Sequence, residues 1–144
     1  MTDRDAFWAA KILMRFTEDE LPAIVRTGQS SNPEAERYFH QVLVERQRKS
    51  ARKYTNRVNP IDEFKVTAEG LRFANLSERY RFAEPGTTYE VAWSVYDNAT
   101  DTVVPLADPV TRTDTVVPAP ANPSLTGDTD LRAEIRSRYD DFPS

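Results

Sequence analysis

The chain has 144 residues, 39% hydrophobic, 29% charged and 10% aromatic, with a formal net charge of −4 at pH 7. That is enough apolar material for a packed core and too much interspersed charge for a membrane-spanning helix. With no cysteine and one histidine, thiolate catalysis, disulfide frameworks and zinc sites built from cysteines or several histidines are excluded.

Asp3, Arg4, Asp5, Lys11 and Arg15 interrupt the first sixteen residues, so no apolar run there is long enough for a signal-peptide core. Thr2 and Asp5 have the spacing of a capping box. The residues that follow, Phe7, Ala10, Ile12, Leu13, Met14 and Phe16, predict a short and mostly buried helix. Thr17 and Glu20 repeat the signal, and Pro22 suits only a first turn. Leu21, Ile24 and Val25 are expected to face the core, with Gly28 as a left-handed cap.

Asn32-Pro33 opens a third helix, with Glu34 and Glu36 beside the positive end of its dipole. It can run to about Val58 without Gly or Pro. Helical periodicity puts Leu43, Gln47, Ala51, Tyr54 and Val58 on one side and Arg48, Lys49, Arg52 and Lys53 on the other. At Asn59-Pro60-Ile61-Asp62 helical periodicity gives way to strand alternation. Charge changes there too: 11 Lys+Arg against 8 Asp+Glu before Pro60 is +3, and 8 against 15 after it is −7.

Beyond that boundary, Phe64 and Val66, a turn at Glu69-Gly70, and Leu71 and Phe73 predict a hairpin. Tyr89, Val91, Trp93 and Val95 at alternate positions form the clearest strand. After turn residues 97–101, Val103-Val104-Pro105-Leu106 reads as an edge strand, because proline cannot donate to a central ladder. The proline-rich stretch 108–122 reads as loop or edge strand, and Leu131, Ala133 and Ile135, alternating with Arg132, Glu134 and Arg136, form a last amphipathic strand. The expected fold is therefore α+β: a three-helix unit over 1–60, then an antiparallel, immunoglobulin-like β-sandwich over 61–144, one strand short at its end. The absence of a linker predicts that the two form one cooperative domain.

Thr2-Asp3-Arg4-Asp5-Ala6-Phe7-Trp8-Ala9-Ala10-Lys11-Ile12, then Phe16-Thr17 and Ile24-Val25, resembles the start of a C-terminal region in large, exported bacterial proteins of unknown function. Asn32-Pro33, Val44-Glu45-Arg46, Arg57-Val58-Asn59-Pro60-Ile61-Asp62, Leu71-Arg72-Phe73 and Tyr89 are similar to later parts of it. The resemblance is densest over residues 2–62. It implies an architecture and a place within a longer polypeptide, and it brings no catalytic residue or cofactor.

Arg46, Arg48, Lys49, Arg52, Lys53 and Arg57 concentrate positive charge at the end of the third helix. They are read either as a solvated face that the helix dipole favours or as a contact for an acidic protein surface. The acidic balance of the whole chain argues against nucleic acid. His40 stands without a second histidine or a cysteine, which favours a structural role over that of base or ligand. Asp97, Asp101, Asp128 and Asp130 lack the spacing of a calcium loop. Asn75-Leu76-Ser77 and Asn98-Ala99-Thr100 match the glycosylation acceptor pattern, as short chains often do by chance. Tyr80, Phe82, Tyr89, Trp93 and Tyr96 are expected in the core, with a sugar-stacking platform as the alternative. These readings point to a non-catalytic accessory or interaction module without cofactor, whose partner is the remainder of a larger polypeptide or an acidic surface. A carbohydrate- or envelope-binding β-module, or part of an enzyme whose active site lies elsewhere, is the alternative.

Overall fold

The computed structural model describes residues 2–17, 19–121, 123 and 125–138. Helices precede sheets, and the chain divides into two units, Met1–Val58 and Asn59–Ser144.

The first unit contains α1 (Asp3–Leu13), α2 (Glu20–Arg26) and α3 (Pro33–Thr55). The Thr2 hydroxyl accepts from the Asp5 amide at 3.2 Å while the Asp5 carboxylate accepts from the Thr2 amide at 2.8 Å. Those contacts, the Thr2 backbone N–H first, hold the Asp5 carboxyl below the usual carboxylate range. Thr17 and Glu20 make the same reciprocal bonds. The left-handed residue after α2 is Gln29, at φ 49°, and not Gly28. Asn32 Oδ1 caps α3 by accepting from the amides of Glu34 and Ala35. This helix stops at Thr55, short of the expected Val58, with Asn56 as its C-cap.

α3 packs on both α1 and α2, but not through the large side chains that periodicity singles out. The buried positions are Ala6 and Ala10 on α1 and Gln47, Ala51 and Thr55 on α3. Trp8, Ile12, Phe16, Ile24 and Leu43 remain exposed, so α1 is not the mostly buried helix its composition predicts. Small residues one turn apart let helix backbones approach closely, and the bulky residues are left on the other faces. Gln47 Nε2 then reaches the Leu13 and Phe16 carbonyls at 2.8 and 2.9 Å, tying the end of α1 to α3.

In the second unit β1 (Ile61–Thr67), β2 (Gly70–Asn75) and β6 (Val116–Val117) form one antiparallel sheet in the order β1-β2-β6. A second sheet is built around β3 (Thr88–Asp97). β7 (Thr129–Arg138) pairs with its whole length, while β4 (Thr102–Pro105) and β5 (Val110–Arg112) follow one another along its other edge. Between β2 and β3 lies α4 (Leu76–Arg79), a fourth helix among the described residues that the expected all-strand second part did not include. Asn75 Oδ1 starts α4 by accepting from the amides of Ser77 and Glu78.

The core of this unit draws Phe73 from β2, Tyr89 and Val91 from β3, Val117 from β6 and Ile135 from β7. Phe73 and Tyr89 meet edge to face with centroids 4.9 Å apart. Asn75 Nδ2 donates to the Tyr89 hydroxyl at 3.0 Å. Burial pushes that phenol above its usual pKa. The hairpin turns at Gly70, φ 132°, where a Cβ would come within 2.1 Å of the Val117 carbonyl oxygen. Only glycine lets β6 lie beside β2 here.

Candidate functional site

β1 is irregular between Asp62 and Lys65, where Glu63 takes φ 55°. A bulge of this kind re-aims the side chains that follow it. Arg79 anchors it with a two-pronged contact to the Glu63 carboxylate, at 2.6 and 2.8 Å, which holds that carboxyl below its ordinary pKa. Phe64 packs 6.0 Å from Phe73, and Val66 is 90% exposed.

Phe64 and Val66 form one wall of an apolar groove of about 590 Å³; Leu131 and Ala133 of β7 form the other, and Leu71 and Trp93 also line it. Thr67 lines it too, its hydroxyl donating to the Gly70 carbonyl at 3.0 Å. Trp93 is half-buried against the core cluster.

The β7 edge beside this groove has a definite polarity. Asn59 Nδ2 donates to the Ile135 carbonyl at 2.6 Å, and the Leu106 amide donates to the Trp93 carbonyl at 3.0 Å. Ile135 and Trp93 therefore turn their carbonyls away from the β3–β7 seam. Since Val91 faces Ile135 and Trp93 faces Ala133, these are the pairs without mutual backbone bonds in an antiparallel ladder. The backbone groups of Leu131 and Ala133 consequently point to the far edge of β7. No strand among the described residues pairs with that edge. Asn59 covers only its end, where it also takes a short hydrogen bond from the Ser137 hydroxyl.

The predicted binding residues are elsewhere. Arg46, Arg48, Lys49, Arg52 and Lys53 are exposed on the C-terminal half of α3. Lys53 Nζ stands 5.5 Å over the Tyr54 ring, and Arg57 contacts Asp3 at 3.4 Å. His40 is half-buried on the same helix, and its Nε2 has no hydrogen-bond partner among the described residues. The aspartates serve turns: Asp97 accepts from the amides of Ala99 and Thr100, Asp101 from the Tyr96 hydroxyl, and Asp130 from Asn98 Nδ2. That Tyr96–Asp101 bond raises the Tyr96 pKa. Among the described residues no group of three or more acidic or histidine side chains is placed to hold a metal, and no helix is long and apolar enough to cross a membrane.

No family model, curated protein or solved structure matches the chain.

Asn75 is 6% exposed with its amide group engaged by Thr87 and Tyr89, so its acceptor pattern is inaccessible in this fold. Tyr89 and Phe82 are buried, and Tyr80, Trp93 and Tyr96 half-buried, so these rings form no exposed platform. Sequence reasoning missed the groove. Its signal was the alternation of Leu131, Ala133 and Ile135, but alternation does not say which edge of a strand lacks a partner.

Proposed function

We propose that the chain is a non-catalytic interaction module whose sheet unit receives a polypeptide along the groove between β1 and β7. One observation carries this reading: Val66, 90% exposed, stands on an apolar groove whose opposite wall is a strand with one edge that pairs with no strand among the described residues. An extended polypeptide meets both demands, because its backbone pairs with the edge while alternate side chains enter the groove. A sugar would need several polar partners there, and the lining is almost entirely apolar.

The sheet unit is further read as an immunoglobulin-like sandwich whose last strand is not among the described residues. Supporting this, β1, β2 and β6 share one sheet and β4, β3 and β7 the other, the grouping of strands A, B, E and C′, C, F in that fold. The strand that follows F there pairs with F, on the edge of β7 that has no partner strand among the described residues. A module of a larger bacterial polypeptide, as the resemblance implies, accords with such a surface.

The test uses the Trp8→Phe variant, in which Trp93 is the remaining indole. Titration with anilinonaphthalene sulfonate is expected to raise dye emission and quench Trp93. Val66→Glu should remove both effects without changing the melting temperature. A dye that does not bind, or that binds equally well to the Val66→Glu protein, would contradict the reading.

A further inference from the structure

We propose that the polypeptide received along β7 is the β7 strand of a second copy of the chain, paired antiparallel and centred on Ala133. This rests on the interaction-module reading and adds the identity of the partner.

The charges on the outer face of the strand carry the proposal. Leu131, Ala133 and Ile135 face the groove and core, so the intervening positions face outward. In order these are Asp128, Asp130, Arg132, Glu134, Arg136 and Arg138, the first lying just before the strand. Reversing the strand about Ala133 sets each against its opposite: Asp128 faces Arg138, Asp130 faces Arg136, and Arg132 faces Glu134. Neighbouring registers lose this match. Centring on Glu134 opposes Glu134 to itself and Arg132 to Arg136; centring on Arg132 opposes Arg132 to itself and Asp130 to Glu134. Directly opposed charges stabilise or destabilise a strand pair according to sign, so one register is selected.

Backbone chemistry agrees with the same register. The Ala133 N–H and C=O point to the open edge, so two Ala133 residues facing each other exchange a pair of hydrogen bonds about the two-fold axis. On the inner face Leu131 meets Ile135 of the second copy, which brings that copy's apolar side chains to the open side of the groove beside Phe64 and Val66. In the single chain Arg132 and Arg136 both reach Glu134, at 3.6 and 2.6 Å, Arg138 reaches Glu90 at 2.8 Å and Asp130 accepts from Asn98 Nδ2, contacts that pairing would exchange for ones across the seam. Asn59 opposes the association, since its bond to the Ile135 carbonyl covers a group the second strand requires. It acts as a guard on the edge that pairing must displace.

Sedimentation equilibrium of the full chain is expected to show a reversible dimer that weakens with salt. Asp128→Lys with Asp130→Lys makes both ends of the strand basic, and Arg136→Glu with Arg138→Glu makes both acidic. Each double variant should self-associate about tenfold more weakly or worse, and an equimolar mixture should restore a dimer containing one of each. Asn59→Ala should tighten the parent dimer. All four charged positions are exposed, so unchanged circular dichroism is expected to certify the fold. A parent chain that stays monomeric into the millimolar range, a dimer indifferent to the charge changes, or a mixture that fails to associate would each overturn the proposal. Should it fail while the dye still binds the groove, the interaction module stands with another partner; loss of dye binding counts against the module itself.

Discussion

The helical unit buries alanines, a glutamine and a threonine, whereas the sheet unit buries Phe73, Tyr89, Val91, Val117 and Ile135. Helices that approach through small residues leave no room for large ones, and their bulky side chains, Trp8 and Ile12 among them, are displaced to the surface. The sheet unit instead gathers large side chains from both of its sheets into one cluster. The two units should therefore fail in opposite ways, the sheet unit to truncation and the helical unit to enlargement.

The largest effect is expected from Tyr89→Ala, which removes a ring 1% exposed and its bond to Asn75. A loss of about 3–5 kcal/mol in urea unfolding is anticipated; under about 1 kcal/mol would mean that the ring is not core. Ala51→Leu comes next, at about 1–3 kcal/mol, because Ala51 is wholly buried against close helices and cannot accommodate added methyl groups. A neutral or stabilising Ala51→Leu would show the helices to be loosely packed. Trp8→Ala should have the smallest effect despite deleting the largest side chain, within about 0.5 kcal/mol, since the indole is 63% exposed. A cost comparable to that of Tyr89→Ala would place Trp8 in a contact and break the comparison.

What was legible in the sequence was mostly local. Thr2 with Asp5, Thr17 with Glu20, and Asn32 with the amides just beyond Pro33 act within one helical turn, so local spacing identifies their bonds. Gly70 and the alternation through Tyr89–Val95 were readable for the same reason. The buried face of α1 was not, because it depends on what α3 presents, and Ala6 and Ala10 carry a weaker hydrophobic signal than Trp8 or Ile12. α4 had a readable cap in Asn75 and Glu78 but only one turn of helix to follow it. β5 and β6 are too short for alternation to register. The charge order along β7 was visible throughout and meant nothing until strand pairing left one edge without a partner among the described residues.

That open edge is most directly tested by amide hydrogen exchange along β7 in dilute solution. Arg132 and Glu134, whose backbone groups face β3, should be protected. Leu131 and Ala133, whose groups face the free edge, should exchange quickly and gain protection only as concentration rises. Equal protection of these neighbouring amides at the lowest concentration would mean that another segment already covers the edge, and would contradict the account.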